Sequence, residues 1–254
     1  MLATAVAILW KKQTRNGLLE VRSAGNTRRL YCNGVLHTQF NPECPLTGDV
    51  WDSMAMAPAF APPKQIQRVL VLGVGGGAAL RLIAQHFRPK LIAGVELDAL
   101  RVQLAKRYFG LKGKRFKLYC DNAVNWMQRY DGEGFDLIID DIFGEFDGEP
   151  QRFIPITKTW ANLLCRALRP DGLLVVNTLS AQELGETALL EMAKYQKRFQ
   201  HAYQFQHPQS ENGIGIFSPF ETTPLQFRNR IKKLDGMETA TARKKLNFSI
   251  KTLW

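Results

Sequence analysis

Two hydrophobic rhythms alternate along the chain. Between residues 66 and 218, short apolar runs alternate with segments whose apolar residues recur every three to four positions. The runs "RVLVLG", "KLIAGVELD", "RFKLYCDN", "FDLIIDDIF" and "GLLVVNTLS" read as strands. Each is apolar almost without alternation, so both of its faces are covered. The intervening "AALRLIAQHF", "ALRVQLAKRYF", "AVNWMQRY" and "TWANLLCRAL" carry helical spacing. This succession predicts a parallel sheet clothed by helices. The last two runs, "HAYQFQ" and "NGIGIFS", are too close for a crossover helix and are expected to pair as an antiparallel hairpin.

Upstream the rhythm is different. "GLLEVRS" and "RRLYCNGVLHTQF" are strand-like and are punctuated by "AGN" and Asn33-Gly34 as turns, so residues 1–48 are expected to form a small β region. The opening "MLATAVAILWKK" is apolar and its lysines follow the run, the reverse of a secretion signal. It is expected to be a buried first strand. Residues 49–221 form the main domain and 222–254 a basic tail, helical in part. Five β/α units closed by a hairpin are the architecture of the class I methyltransferase fold. This is an α/β, Rossmann-like arrangement with a seven-stranded, mostly parallel sheet.

Composition adds bounds. With 254 residues, 45% of them apolar, the chain can bury one large core. No apolar run approaches the roughly 20 residues needed to span a bilayer. Cys32, Cys44, Cys120 and Cys165 lie far apart with no CxxC pair, which argues against a disulfide framework or a zinc site and agrees with a reducing cytoplasm. The net charge of +11 resides at the ends. Residues 1–30 hold six Lys/Arg against Glu20, residues 222–254 hold eight against Asp235 and Glu238, and the middle is neutral. Such ends attract nucleic acid, anionic lipid or an acidic partner. No aromatic-studded RNA motif accompanies them, so a solubilising surface is the simpler reading.

Candidate chemistry begins at Gly73-Val74-Gly75-Gly76-Gly77-Ala78, a G-x-G-x-x-A turn between a strand and a helix. Missing side chains let a backbone approach a ligand there, although a tight corner needs the same glycines. Acids at the ends of later strands decide between the two. Glu96 ends the second strand, 23 residues after Gly73, where a carboxylate can accept from both hydroxyls of a ribose. Asp98 beside it is placed to cap a helix. Asp121 ends the third strand and can accept from an adenine amine, with Asn122 assisting; Asp140 and Asp141 end the fourth. Open α/β sheets bind ligands at the carboxyl ends of their strands, so three strands deliver acids to one rim. Carboxylates suit a cationic sulfonium nucleoside better than a pyrophosphate. His37, His86, His201 and His207 form no catalytic or metal-binding pattern.

From about residue 18 to 220, "VLVLGVGGGAA", "GVELD", "CDNA" and "FDLIIDD" succeed one another in the order of the spermidine synthase family of aminopropyltransferases, which the chain resembles. That resemblance implies a homodimer, a donor of S-adenosylmethionine type, Glu96 on the ribose, Asp121 on the adenine and Asp141 at the catalytic aspartate position, with Asp140 in reserve. The departures carry information too. The family's glycine turn reads GGGDGG, and its aspartate falls at Gly76. Its DSSDP motif reads Asp141-Ile142-Phe143-Gly144-Glu145 here, without the second aspartate, and its Y-x-E-M stretch aligns with Trp51-Asp52-Ser53-Met54.

These losses remove groups that would grip a long polyamine. A turn without aspartate also welcomes the carboxylate of intact S-adenosylmethionine on bare N–H groups, where decarboxylated S-adenosylmethionine would want an acid. The residues thus favour methyl transfer to an unidentified small acceptor, an amine being one candidate, with Trp51, Phe143 and Trp160 as walls of its pocket. The competing readings are aminopropyl transfer, with the lost acids replaced from elsewhere, and a nucleoside-binding protein without turnover.

Overall fold

The computed structural model describes residues 6–15, 17–146 and 149–254, without the side chains of residues 145 and 146. Strands β1 (Val6–Thr14), β2 (Gly17–Ala24), β3 (Thr27–Cys32) and β4 (Val35–Phe40) form an antiparallel sheet in chain order. The turn at Asn33-Gly34 falls where expected; Asn33 has a φ of +48° and Gly34 of +84°. The outermost strand does not match the expectation of a buried run. β1 is an edge strand, with Val6 67% and Ile8 53% exposed. Among the described residues only β2 pairs with it, and Trp10 is the side chain it packs against the core that β2 and β3 share with the helix behind them. Residues 1–5 of that run lie outside the described residues.

After helix α1 (Val50–Ala55) and a 3-10 turn (Ala57–Phe60) comes the alternation read from the sequence. It runs β5 (Arg68–Leu72), α2 (Ala78–His86), β6 (Leu91–Glu96), α3 (Ala99–Tyr108), β7 (Phe116–Cys120), α4 (Ala123–Arg129) and β8 (Phe135–Asp140). A short hairpin of β9 (Phe143–Phe146) and β10 (Glu149–Arg152) comes next, and its turn lies outside the described residues. Helix α5 (Lys158–Ala167), strand β11 (Leu168–Thr178) and helices α6 (Ala181–Gly185), α7 (Ala188–Glu191) and α8 (Ala193–Phe199) lead to the antiparallel β12 (His201–Gln206) and β13 (Gly213–Ser218). Beyond these lie α9 (Pro224–Lys232), α10 (Ala240–Lys245) and β14 (Ser249–Thr252).

The main sheet is ordered β14-β12-β13-β11-β8-β5-β6-β7. It holds the seven expected strands and an eighth, because β14 pairs antiparallel with β12. Strands β5 to β8 and β11 are mutually parallel. The chain enters at β5, runs outward to β7 and returns to β8, so the strand order reverses between β5 and β8. A crevice opens at such a switch point.

Both faces of the sheet are covered. Val69, Val71, Leu137 and Ile139 face α1, α2 and the C-terminal segment, whereas Leu70, Leu72, Ile138 and Leu174 face α5, α7 and α8. Leu19, Val21 and Leu30 pack on Leu104 and Phe109 of α3, which seats the small sheet over the crevice. The C-terminal segment is part of the body of the fold. Phe227 and Phe248 stack with Phe60 and Phe205 of the core, and Arg230 Nη1 donates to the carbonyls of Ala59, Phe60 and Ala61 at 2.9–3.1 Å.

Candidate active site

Two adjoining cavities, of about 590 and 960 Å³, run along the carboxyl ends of the strands. Gly73, Glu96, Arg101, Phe143 and Gly144 line both, so they form one cleft with two halves. The turn after β5 forms its floor. Gly73 has a φ of +85°, and a Cβ there would stand 2.0 Å from the carbonyl oxygen of Asp141, so only glycine lets β5 and β8 close side by side. Gly75 lines the cleft as well.

Gly76 and Gly77 do not line either half. A Cβ on Gly76 would stand 2.0 Å from Thr38 Cγ2 of β4, so the small sheet covers that position. Gly77 turns left-handed (φ +78°) to start α2, with Leu111 against it.

In the larger half, Glu96 is 8% exposed. Its Oε2 accepts from the N–H of Val74 at 3.1 Å and of Gly75 at 2.9 Å, and its Oε1 from Asp98 N at 3.2 Å. The carboxylate thus holds the glycine turn in shape and keeps lone pairs for hydroxyl donors. Asp121 is ion-paired with Arg129 on the same rim. Asn122 lines this half too, but its Oδ1 caps α4, accepting from Val124 N at 2.9 Å and Asn125 N at 3.2 Å, so only its NH2 group remains to serve a ligand. Leu97 and Phe153, 70% and 55% exposed, give this half the apolar surface that a planar base would cover.

In the smaller half, Asp141 stands beside Asn177 at the end of β11, whose Nδ2 donates to Asp141 Oδ1 at 2.8 Å. Asn212 Nδ2 donates in turn to Asn177 Oδ1 at 2.9 Å. Burial pushes the Asp141 carboxyl up from 3.8 to about 6, against the hydrogen bond from Asn177 and the charge of Arg152, which favour ionisation. The neighbouring carboxylates of Asp140 and Asp49 push it the same way as burial.

Asp140 points elsewhere. Its fully buried side chain is ion-paired with Arg152 of β10 and accepts from Trp160 Nε1 at 2.7 Å. Successive residues of a strand face opposite sides, so one aspartate of the pair reaches the cleft and the other the core. Asp140 is therefore corrected from a cofactor and reserve catalytic group to an internal brace. Trp160, 3% exposed and bonded to that brace, is corrected from a pocket wall to core. Trp51 and Phe143 do line the smaller half.

This half is not poor in acids. Asp49, Glu96, Asp141, Glu149 and Glu211 line it against the single guanidinium of Arg101. Asp49 is the N-cap of α1, Glu149 opens β10 and Glu211 precedes β13. Asp52 is 1% exposed and accepts from Thr47 N, Thr47 Oγ1 and Gly48 N, which holds the loop that presents Asp49. Asn177 was open to discovery by the strand-end rule applied to the fifth strand. Asp49 carried only a helix-start signal, "TGDVW". His37 and Arg101 carried none. Among the described residues, no cluster of His, Cys, Asp and Glu is arranged to hold a metal ion, and no helix is long and apolar enough to cross a membrane.

The Spermine/spermidine synthase domain matches residues 51–229. The chain belongs to the spermidine synthase family. A polyamine aminopropyltransferase of Vibrio vulnificus (strain CMCP6) is 29% identical over 180 residues, covering 68% of this chain and 56% of the relative. An eEF1A lysine and N-terminal methyltransferase homolog of Drosophila melanogaster is 28% identical over 138 residues, covering 51% of this chain and 20% of the relative. The chain spans about half the length of the curated aminopropyltransferases it matches. Among solved structures, a probable spermidine synthase from Corynebacterium glutamicum ATCC 13032 superposes with a TM-score of 0.70 at 21% identity, covering 89% of this chain and 88% of that one. Human methyltransferase-like protein 13 in complex with SAH superposes with a TM-score of 0.60 at 18% identity, covering 72% and 90%. Likeness at such identities concerns the fold. These relatives are transferases of two kinds, and both kinds share this Rossmann-like sheet.

Proposed function

We propose that the chain is a transferase that binds S-adenosylmethionine along the strand-end rim and methylates a small amine. The observation that carries the donor choice is the glycine turn. The position that carries an aspartate in the family is glycine here and is closed by Thr38. The Glu96 carboxylate beside the turn is engaged with the N–H groups of Val74 and Gly75, so an ammonium-tailed donor loses the acid that the family places in the turn itself. The bound donor supplies a carbon activated by its positive sulfur. Glu96 accepts from the ribose, Asp121 from the adenine amine, and Leu97 and Phe153 cover the base.

The acceptor half then works by charge. An amine arrives protonated, since its pKa lies near 10. Asp49, Glu149 and Glu211 attract it as a cation. Asp141, in the smaller half, takes up the proton that frees the nitrogen lone pair for in-line attack, and general-base help of this kind contributes about 10²–10⁴-fold. Proximity supplies more, about 7–11 kcal/mol in well-aligned cases.

A second reading, aminopropyl transfer from decarboxylated S-adenosylmethionine, is favoured by the same acids, which replace those missing from the family motifs, and by the names of the relatives. Incubation with each donor and a panel of small amines separates the two. Methyl label entering the amine supports the first reading; release of methylthioadenosine establishes the second and rejects the first. Nucleoside binding with no product from either donor rejects both. The expected homodimer belongs to this proposal and is supported by the exposed Val6, Ile8 and Leu9 of β1. A monomer mass by light scattering would remove it.

A further inference from the structure

Arg101 is a cation in a cleft built for cations. It lines both halves of the site, and its side chain is only 15% exposed. Asp98 Oδ2 stands 4.0 Å from Nε, an ion pair one helical turn away without a hydrogen bond. Glu96, which lines the same cavities, directs its oxygens to the N–H groups of Val74, Gly75 and Asp98.

The closest polar neighbour of the guanidinium is uncharged. Arg101 Nη1 lies 3.4 Å from His37 Nδ1, and burial together with the Arg101 charge holds the His37 imidazole down at about 4. His37 is therefore neutral near pH 7 and orients the guanidinium without balancing its charge. A guanidinium only donates, so the imidazole proton resides on Nε2, and that buried atom has no hydrogen-bond partner among the described residues. The backbone oxygen of His37 lies 3.5 Å from where a Gly75 Cβ would be, which places the pair against the glycine turn. The guanidinium, loosely paired with Asp98 and held by the imidazole, keeps N–H donors that face the cleft, and a planar fork of this kind suits an anion of two oxygens.

We infer that Arg101, positioned by His37, binds the α-carboxylate of the amino-acid tail of an intact S-adenosyl ligand and so selects it over the decarboxylated form. This deepens the methyl-transfer reading and rests on it.

The test is equilibrium binding of three probes to the full chain and to Arg101→Met and Arg101→Gln. S-adenosylhomocysteine has the carboxylate, S-adenosyl-3-thiopropylamine lacks only that group, and methylthioadenosine lacks the whole amino-acid end. The unaltered chain is expected to prefer S-adenosylhomocysteine to the thiopropylamine by roughly 10–100-fold, the range of a charged hydrogen-bonded pair. Both variants should erase that preference and keep the methylthioadenosine affinity within about threefold, which also certifies an intact nucleoside half.

If the unaltered chain prefers the carboxylate form and Arg101→Gln leaves that preference in place, the inference falls while methyl transfer stands. Preference for the thiopropylamine overturns both. Failure of all three probes to bind the unaltered chain removes the nucleoside reading and this inference with it.

Discussion

At the scale of single residues, the cleft is governed by where a carboxyl may ionise. Asp141 is raised from 3.8 to about 6 by burial, so it is an anion at neutral pH at a cost to the fold. An acid raised in the folded state contributes stability below its unfolded value and loses it as pH climbs through about 6. Asp141→Asn is therefore expected to stabilise the chain at pH 7 by on the order of 1–3 kcal/mol, a gain that shrinks to nothing by about pH 4. Thermal melts of both proteins across that range test it.

The same substitution should lower turnover by about 10²–10⁴-fold while donor affinity stays within a fewfold. Turnover of the unaltered chain should rise with pH through an acid limb near 6 in kcat/KM. Unchanged turnover in the variant would remove Asp141 from the chemistry. Gly73→Ala sends a methyl into the Asp141 backbone at positive φ and should cost about 2–4 kcal/mol, read by denaturant titration.

Residues at strand ends were legible in the sequence, because a buried parallel strand announces its own terminus. Which of Asp140 and Asp141 reaches the cleft depends on register, which a continuous apolar run does not encode. The charge of the acceptor half was misjudged for a related reason. Asp49, Glu149 and Glu211 lie on connecting segments that only the assembled fold brings together.

At the scale of elements, the β9–β10 hairpin is fastened at its base by the buried Arg152–Asp140 pair, with Arg152 Nη1 also donating to Asn177 O at 2.6 Å. Removing one partner of such a pair strands the other charge. Arg152→Met is expected to destabilise by about 3–5 kcal/mol, whereas Arg152→Met combined with Asp140→Leu should recover much of that loss. Equal melting curves for the single and double variants would contradict this. The five β/α units were readable from period alone. The hairpin was not, since "FGEF" and "EPQR" are too short and too polar to register as strands. Helices α6 to α8 are short turns held by their packing on β11, β12 and β13, and propensity alone does not mark them.

At the scale of the whole molecule, the segment from residue 222 onward sets the edge of the main sheet. It delivers β14 to β12 and buries Phe227, Ile231, Met237 and Phe248 in the core. Lys245 Nζ donates to Leu46 O at 2.5 Å and so reaches the loop that carries Asp49. Ending the chain at residue 221 should abolish cooperative melting, which circular dichroism would show; a truncated chain with the original transition would mean that the segment is dispensable. Its basic composition was readable, but its place in the fold was not, because Phe227 reaches Phe60, more than 150 residues away in sequence, and no local pattern announces that contact.

Asp49, Glu149 and Glu211 reside on separate segments outside the strands of the main sheet, whereas Glu96, Asp121 and Asp141 stand at strand termini that the core holds fixed. On the proposed reading, substitutions in those segments can change which acceptor is taken while the donor side of the cleft stays as it is.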